Sequence, residues 1–207
     1  MQSTALKNQN VGMSEVRKDN WAAGKLYEPY VGRWSRLVAK EFLQWLQLPA
    51  QLDWLDVGCG TGALTQSILQ QTQPRSVTGI DPSAGFIDYA KAQITDPRVT
   101  FEVADAQSLP VQSARFDVAV SGLVLNFVPK PLLAAQEMAR AVRPGGVVAA
   151  YVWDYAGKME LMRYFWDAAV AVDPSVSKLA EGLRFPICQP PALVALFNEA
   201  GLRDVQT

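Results

Sequence analysis

The 207 residues are 49% apolar and 19% charged, with a net charge of −1. That is the balance of a folded chain long enough for one α/β domain with a sizeable core, and its scattered Lys and Arg residues form no stripe for nucleic acid or an anionic membrane. Two cysteines and no histidine are too few for a disulfide framework or a zinc site, and they exclude Ser-His-Asp and Cys-His catalysis. No run reaches the ~18–20 apolar residues of a membrane span, and the N-terminus is too polar for a secretory signal. The expectation is a cytoplasmic protein with no metal, membrane or nucleic-acid partner.

In chain order, residues 1–20 are polar and aperiodic and read as a weakly ordered arm, leaving 21–207 as the folded domain. Trp21, Tyr27, Tyr30, Arg33 and Trp34 make an aromatic-rich stretch before a helix with Ser35 as cap and Val38, Phe42, Trp45 and Leu46 as apolar face. Residues 52–57 then form an apolar run that carries Asp56 and leads straight into Gly58-Cys59-Gly60-Thr61-Gly62. This pattern predicts a strand, a tight turn and a helix starting near Ala63. Glycines there let the backbone take positive φ or approach a ligand, and the free N–H groups of the helix start can donate to it. Gly58, Gly60 and Ala63 also satisfy the dinucleotide pattern G-x-G-x-x-G/A, so the loop alone leaves two readings open.

A helix to about residue 71 and a strand over 76–80 lead to Asp81-Pro82-Ser83. An acid at the end of the second strand, roughly 20 residues past a glycine loop, can accept both hydrogen bonds of a ribose diol. The alternative is a helix N-cap region, because Phe86, Ile87, Ala90 and Ile94 follow at helical spacing. Val99, Phe101 and Val103 alternate as in an edge strand with one drier face, and they deliver Asp105-Ala106. That pair can read the Watson–Crick edge of adenine, the carboxylate accepting and the next N–H donating. A fourth strand covers 116–121, ending at Ser121. A helix from Pro131, with Leu132, Ala135, Ala139 and Val142 on one face, stops at Arg143-Pro144-Gly145-Gly146.

Residues 147–153 are apolar on both faces, as in a strand buried between helical layers. Residues 154–189 break the alternation with a helix containing Met159, Met162, Tyr164, Phe165 and Trp166 and then a loop to Phe185; the segment reads either as a lid over a substrate or as a cap on the core. Pro190 and Pro191 open the last helix, with Leu193, Leu196, Phe197 and Ala200 on one face and Gly201 as its stop, and residues 202–207 can only begin a sixth strand. Strands alternating with helices predict a doubly wound, mostly parallel α/β sheet.

Asp56 with its glycine loop, Asp81, Asp105-Ala106 and the Arg143-Pro144-Gly145-Gly146 turn together resemble the class I S-adenosylmethionine-dependent methyltransferases, in the branch with small-molecule and quinone-precursor enzymes. The resemblance runs from about Tyr27 to the end. It implies a Rossmann-like fold and the cofactor S-adenosylmethionine, held by Tyr27, Arg33, Asp56, Gly58, Cys59, Gly60, Gly62, Asp81, Pro82, Asp105, Ala106 and Ser121. The residue matching Arg33 often pairs with the cofactor's methionine carboxylate in that family. It also implies methyl transfer to a small, partly apolar molecule. Two features depart from the pattern: no Asn/Asp-Pro-Pro-Tyr/Phe box follows the fourth strand, and Asn126 stands where many relatives have histidine, so no catalytic residue is assigned.

The competing readings are an NAD-dependent oxidoreductase and a non-catalytic binding protein on the same fold. The family closes its sheet with a seventh strand, antiparallel between the fifth and sixth. The residues after the last helix are too few for both, so the last strand is expected to be missing and residues 147–153 to form an apolar edge. That edge calls for a longer natural protein, for a partner chain including self-association, or for the chain's own terminal residues.

Overall fold

Each apolar run in this chain is separated from the next by a stretch long enough to cross the sheet, which lets the strands pair in parallel. The structure, a computed structural model, describes residues 33–207, Arg33 by its backbone alone. Strands β1 (Asp53–Val57), β2 (Ser76–Asp81), β3 (Val99–Val103), β4 (Phe116–Gly122) and β5 (Val142–Tyr151) form one sheet in the order β3-β2-β1-β4-β5, parallel throughout. The helices are α1 (Arg33–Leu46), α2 (Ala63–Gln71), α3 (Ala84–Gln93), α4 (Pro131–Ala141), α5 (Glu160–Val172), α6 (Glu181–Arg184) and α7 (Pro190–Glu199).

The two-residue period of the strands divides the core. Leu55, Val57 and Ala119 point to the face covered by Ala134, Ala135 and Met138 of α4 and by Leu196 and Phe197 of α7. Trp54, Val118 and Val120 point to the other face, against Ala39, Phe42 and Leu43 of α1 and Leu64 and Ile68 of α2. Central β1 is buried at every position, as a strand covered on both faces must be. Strand order reverses between β1 and β4, so their following loops part and leave a crevice at the carboxyl ends of the strands.

Several boundaries differ from the sequence expectation. Helix α1 begins ahead of Ser35, which is buried inside the helix rather than capping it, and its inner stripe is Ser35, Ala39, Phe42 and Leu43, leaving Trp45 55% exposed. The inner stripe of α4 is Ala134, Ala135, Met138 and Ala141, and Val142 already belongs to β5. The Arg143-Pro144-Gly145-Gly146 segment is therefore an irregularity within β5 rather than a helix stop, marked by a register shift opposite Phe116 and Val118. A Cβ on Gly146 would stand 2.7 Å from the Asp117 carbonyl, so this close approach requires glycine. At the other edge, Val103 is 49% exposed because the cluster over β3 reaches only Val99 and Phe101.

Strand β5 is half-buried rather than dry on both faces because it is the sheet's other edge, with β4 as its one neighbour among the described residues. Residues 202–207 form no strand; Leu202 and Val205 pack on the α4/α7 core beside Val148, Ala150 and Val152. The Tyr151 carbonyl accepts from the Leu123 N–H on the β4 side at 2.8 Å. By alternation, the peptide groups of Val148 and Ala150 face outward, and the terminal residues lie alongside without a backbone bond to them among the described residues. The segment 154–189 folds into α5, α6 and short 3-10 turns at Pro174–Leu179 and Pro186–Cys188, where a loop was expected after the first helix.

The amino ends of the strands are tied by a polar network. The Asp53 carboxylate accepts from the Ser76 hydroxyl at 2.6 Å and pairs with Arg75 at 2.9 Å and Arg115 at 3.3 Å. The Asp53 N–H donates to Asp117 at 2.7 Å, and Asp117 also pairs with Arg143. Burial pushes the Asp53 carboxyl up, but the Ser76 hydroxyl and the two guanidinium groups more than offset it, leaving it below the usual carboxylate range. A depressed carboxyl contributes stability that is present above its unfolded value near 3.9 and is lost as pH falls through the folded value. Asp53→Asn is therefore expected to lower stability by about 1–3 kcal/mol at neutral pH. Urea denaturation across pH should show that deficit closing below about pH 4.

Candidate functional site

The site grows from the end of β1. The Gly58 and Cys59 N–H groups both donate to the Ile80 carbonyl, at 2.7 and 3.0 Å, so the loop is fastened to β2 as soon as it leaves the sheet. From the β4 side Val124 lies over Gly58, where a Cβ would meet its methyls at 2.5 Å. A Cβ on Gly60 would meet nothing within 4 Å, so this part of the loop faces open space. Gly62 takes φ 88° as the residue that starts α2, and a Cβ there would strike Ile94 at 2.7 Å.

Asp81 completes β2 and holds the loop a second time. One carboxylate oxygen accepts from the Gly60 N–H at 3.0 Å and the other from the Ser83 N–H at 2.8 Å. Burial raises its pKa against the lowering effect of those two N–H groups. A carboxylate offers about four acceptor sites, so each oxygen keeps one for a ligand. The helix cap belongs to Ser83, whose hydroxyl accepts from the Phe86 N–H at 3.3 Å; Asp81 itself stays in the strand.

Asp56 is 1% exposed. One oxygen accepts from the Thr65 hydroxyl at 2.6 Å, and the other has no hydrogen-bond partner. Burial raises its pKa to about 7, with the Thr65 bond pulling down and the Asp81 charge adding to the rise. Burial and then the same two carboxylates push the Cys59 thiol well up, which makes it an inert wall rather than a nucleophile. Asp105 is exposed after β3, its oxygens held by the backbone and side-chain N–H groups of Gln107 at 2.8–3.1 Å, while Ala106 is buried beside it.

One cavity of about 1140 Å³ is lined by Asp56, Gly58, Cys59, Gly60, Asp81, Pro82, Asp105 and Ala106. Gly62 and Ser121 are not among its lining residues. Gly62 is turned against Ile94. Ser121 is fully buried in β4, with its hydroxyl unpartnered, and by alternation it shares the sheet face of Ala119 that packs on α4 and α7. Tyr27 and the Arg33 side chain lie outside the described residues; Trp34 and Ser35, which follow Arg33 in sequence, line the cavity.

The far half of the cavity joins residues the sequence did not mark as a site: Phe127, Tyr151, Tyr155, Glu181 and Arg184, with Trp153, Met159, Met162 and Phe185 of the stretches read as strand and lid. The Phe185 ring meets Phe127 edge-on at 5.3 Å and Tyr155 at 5.9 Å. A usable signal was Gly122, where a Cβ would stand 2.5 Å from the Tyr151 hydroxyl; the missing side chain makes room for that phenol. Among the described residues no three His, Cys, Asp or Glu side chains gather to hold a metal, and no helix is long and apolar enough to cross a membrane.

Asp56 titrates near neutrality, and its sign is opposite to that of Asp53. A carboxyl raised by folding contributes stability that is fully present below about pH 4 and is lost as pH rises through about 7. In Asp56→Asn that slope is expected to disappear. Thermal unfolding without ligand should show the variant gaining on the parent protein from pH 5 to pH 8.

A family model described as a methyltransferase domain matches residues 55–150. The chain is 30% identical over 141 residues to a malonyl-[acyl-carrier protein] O-methyltransferase of Hahella chejuensis, covering 68% of this chain and 50% of that one. It is 31% identical over 175 residues to a 2-methyl-6-phytyl-1,4-hydroquinone methyltransferase of Synechocystis, covering 73% and 54%. It thus spans about half the length of these curated relatives. A solved Methanococcus maripaludis structure, described as a candidate S-adenosylmethionine-dependent methyltransferase, shares the fold at a TM-score of 0.63 and 19% identity, covering 95% of this chain and 90% of that one. With a methyltransferase domain matched over residues 55–150, from β1 to β5, on a sheet of this strand order, that part of the chain is a methyltransferase domain by similarity, and the sheet has the Rossmann-like fold of the solved S-adenosylmethionine-dependent methyltransferase.

Proposed function

We propose that the chain holds S-adenosylmethionine across the crevice between β1 and β4 and directs its methyl group to a small, partly apolar acceptor. The observation that carries this reading is one cavity whose wall joins Asp56, Asp81 and Asp105 to the Phe127, Tyr155 and Phe185 ring cluster. The residues present fit the cofactor: Gly60 leaves open space, Asp81 keeps two acceptor sites, and Asp56, which lines the same cavity, keeps one buried oxygen without a partner. The bound cofactor would supply a methyl already activated by its sulfonium, so orientation and a dry site are what the protein adds.

In this reading Asp81 accepts from the ribose hydroxyls. Asp105 and the Ala106 N–H take the adenine edge, and Asp56 favours a cationic ligand over an anionic one. That last point speaks against the dinucleotide reading. A pyrophosphate on this loop would lie against Asp56 and Asp81, with no Lys or Arg beside the loop among the described cavity residues. The segment 154–189 acts as a lid, its Tyr155, Met159, Met162 and Phe185 enclosing the acceptor. A cytoplasmic setting accords with two buried, unpaired cysteines.

Methyl transfer from labelled S-adenosylmethionine tests the reading directly. An alkylated hydroquinone should be labelled and a nucleotide should not; a chain that binds the cofactor but labels no apolar acceptor would count against it. Asp81→Ala should weaken cofactor binding by at least about 10-fold, the lower end of what a donor pair to a charged acceptor is worth. Hydrogen exchange supplies a third check. Residues 154–189 should exchange faster than β1 in the free protein and slow when cofactor and acceptor are both present, whereas equal protection throughout would remove the lid.

A further inference from the structure

Two of the acids that line the cavity are unequally supplied with donors. Asp81 accepts from the Gly60 N–H at 3.0 Å and from the Ser83 N–H at 2.8 Å, one donor for each oxygen. Asp56 is 1% exposed and accepts from the Thr65 hydroxyl at 2.6 Å on one oxygen, while its other oxygen has no partner. The loop that follows Asp56 does not supply the missing donor. Its Gly58 and Cys59 N–H groups go to the Ile80 carbonyl, the Gly60 N–H to Asp81, and the Gly62 N–H to the Cys59 carbonyl at 2.9 Å. A buried carboxylate short of donors is costly to ionise, so of the two acids Asp56 is the one that carries a proton when no cation stands beside it.

The surrounding charges point the same way. Burial is the larger cause, and with the charge of Asp81 it outweighs the Thr65 hydroxyl and N–H and lifts the Asp56 carboxyl to about 7. The other titratable or charged side chains on the cavity wall are Cys59 in the loop, Asp105 after β3, Tyr151 and Tyr155 at and beyond the end of β5, and Glu181 and Arg184 of α6. Among the described residues α1, α2 and β4 bring none to it. S-adenosylmethionine carries a sulfonium where its demethylated product carries a neutral thioether. A cation in the cavity lowers the cost of ionising Asp56, and a neutral sulfur does not.

Resting on the cofactor reading above, we infer that Asp56 distinguishes the cofactor from its demethylated product by charge, standing ionised beside the sulfonium and protonated beside the thioether. Asp56 gives its proton to solvent as the cofactor binds. Once the methyl has left and the sulfur is neutral, Asp56 takes a proton back from solvent, and the product is held less tightly. Asp56 makes and breaks no bond to carbon; it sets specificity through its charge.

The test is calorimetric titration with S-adenosylmethionine and with its demethylated product from pH 5.5 to pH 8.5, in the parent protein, Asp56→Asn and Thr65→Val. Both ligands carry the same titrating amino-acid group, so the ratio of their dissociation constants cancels it. In the parent the product-to-cofactor ratio should rise roughly 10-fold across this range, the change given by a one-unit shift of one carboxyl. At pH 7, buffers of different ionisation enthalpy should show cofactor binding releasing about half a proton more than product binding. Asp56→Asn should make the ratio independent of pH and remove that difference in proton release. The other acids and the two tyrosines remain in this variant, so a pH dependence of theirs would persist. Thr65→Val, which removes the donor that favours the ionised form, should move the rise to higher pH, and it carries the test if Asp56→Asn does not fold. A ratio constant with pH in the parent, or one that changes equally in the parent and in Asp56→Asn, would overturn the inference and leave the cofactor reading standing. Binding of neither ligand at any pH would refute the cofactor reading and the inference with it.

Discussion

The carbonyl of Ile80 accepts two backbone N–H groups, from Gly58 and Cys59, and the geometry of the whole site depends on that pair of hydrogen bonds. It stops the chain from continuing straight out of β1 and turns it across the top of β2, where the next residue, Asp81, takes the Gly60 N–H as well. Two consecutive residues of one strand thus hold three consecutive residues of the loop. Each such bond is worth only ~1 kcal/mol net, but an orphaned buried N–H would cost as much or more. Val124 closes the loop from the β4 side, so the crevice at the reversal of strand order has two fixed walls.

Fastening the loop in this way brings two carboxylates together in a low-dielectric place. Burial and the Asp81 charge raise the cost of ionising Asp56, and Asp56 keeps one oxygen without a partner. A folded chain tolerates such an arrangement where a ligand compensates it, and the compensating ligand must be a donor or a cation. The ends of β1, β2 and β3 deliver acids to the cavity, whereas the segments after β4 and β5 deliver Phe127, Trp153 and Tyr155. The sheet order therefore lays out a gradient from charged to apolar across one cavity, and it orients whatever binds there.

What was legible in the sequence was local. The glycine loop, the start of α2 near Ala63, the cap at Ser83 and the stop at Gly201 follow from the conformational limits of single residues, and the structure places them there. What was not legible depended on a neighbour. In α1 both Val38-Phe42-Trp45 and Ser35-Ala39-Phe42 obey the 3.6-residue period, and only the fit against α2 and the sheet selects the second. Arg143 to Gly146 looked like a helix stop because proline and glycine end helices, but pairing with β4 and the close Asp117 carbonyl make it part of a strand. Ser121 and Gly62 sit beside cavity residues in sequence yet point away from the cavity, one by strand alternation and the other by contact with α3 and its following residue Ile94. Phe127 and Arg184 meet around Phe185 only through the tertiary fold.

The central claim is that the carboxylate-lined loop end selects a cationic nucleoside over a dinucleotide, and calorimetric titration of the purified chain tests it most directly. The account predicts saturable binding of S-adenosylmethionine and of its demethylated product, with no detectable binding of NAD at the same concentrations. Tighter binding of NAD than of either would contradict it.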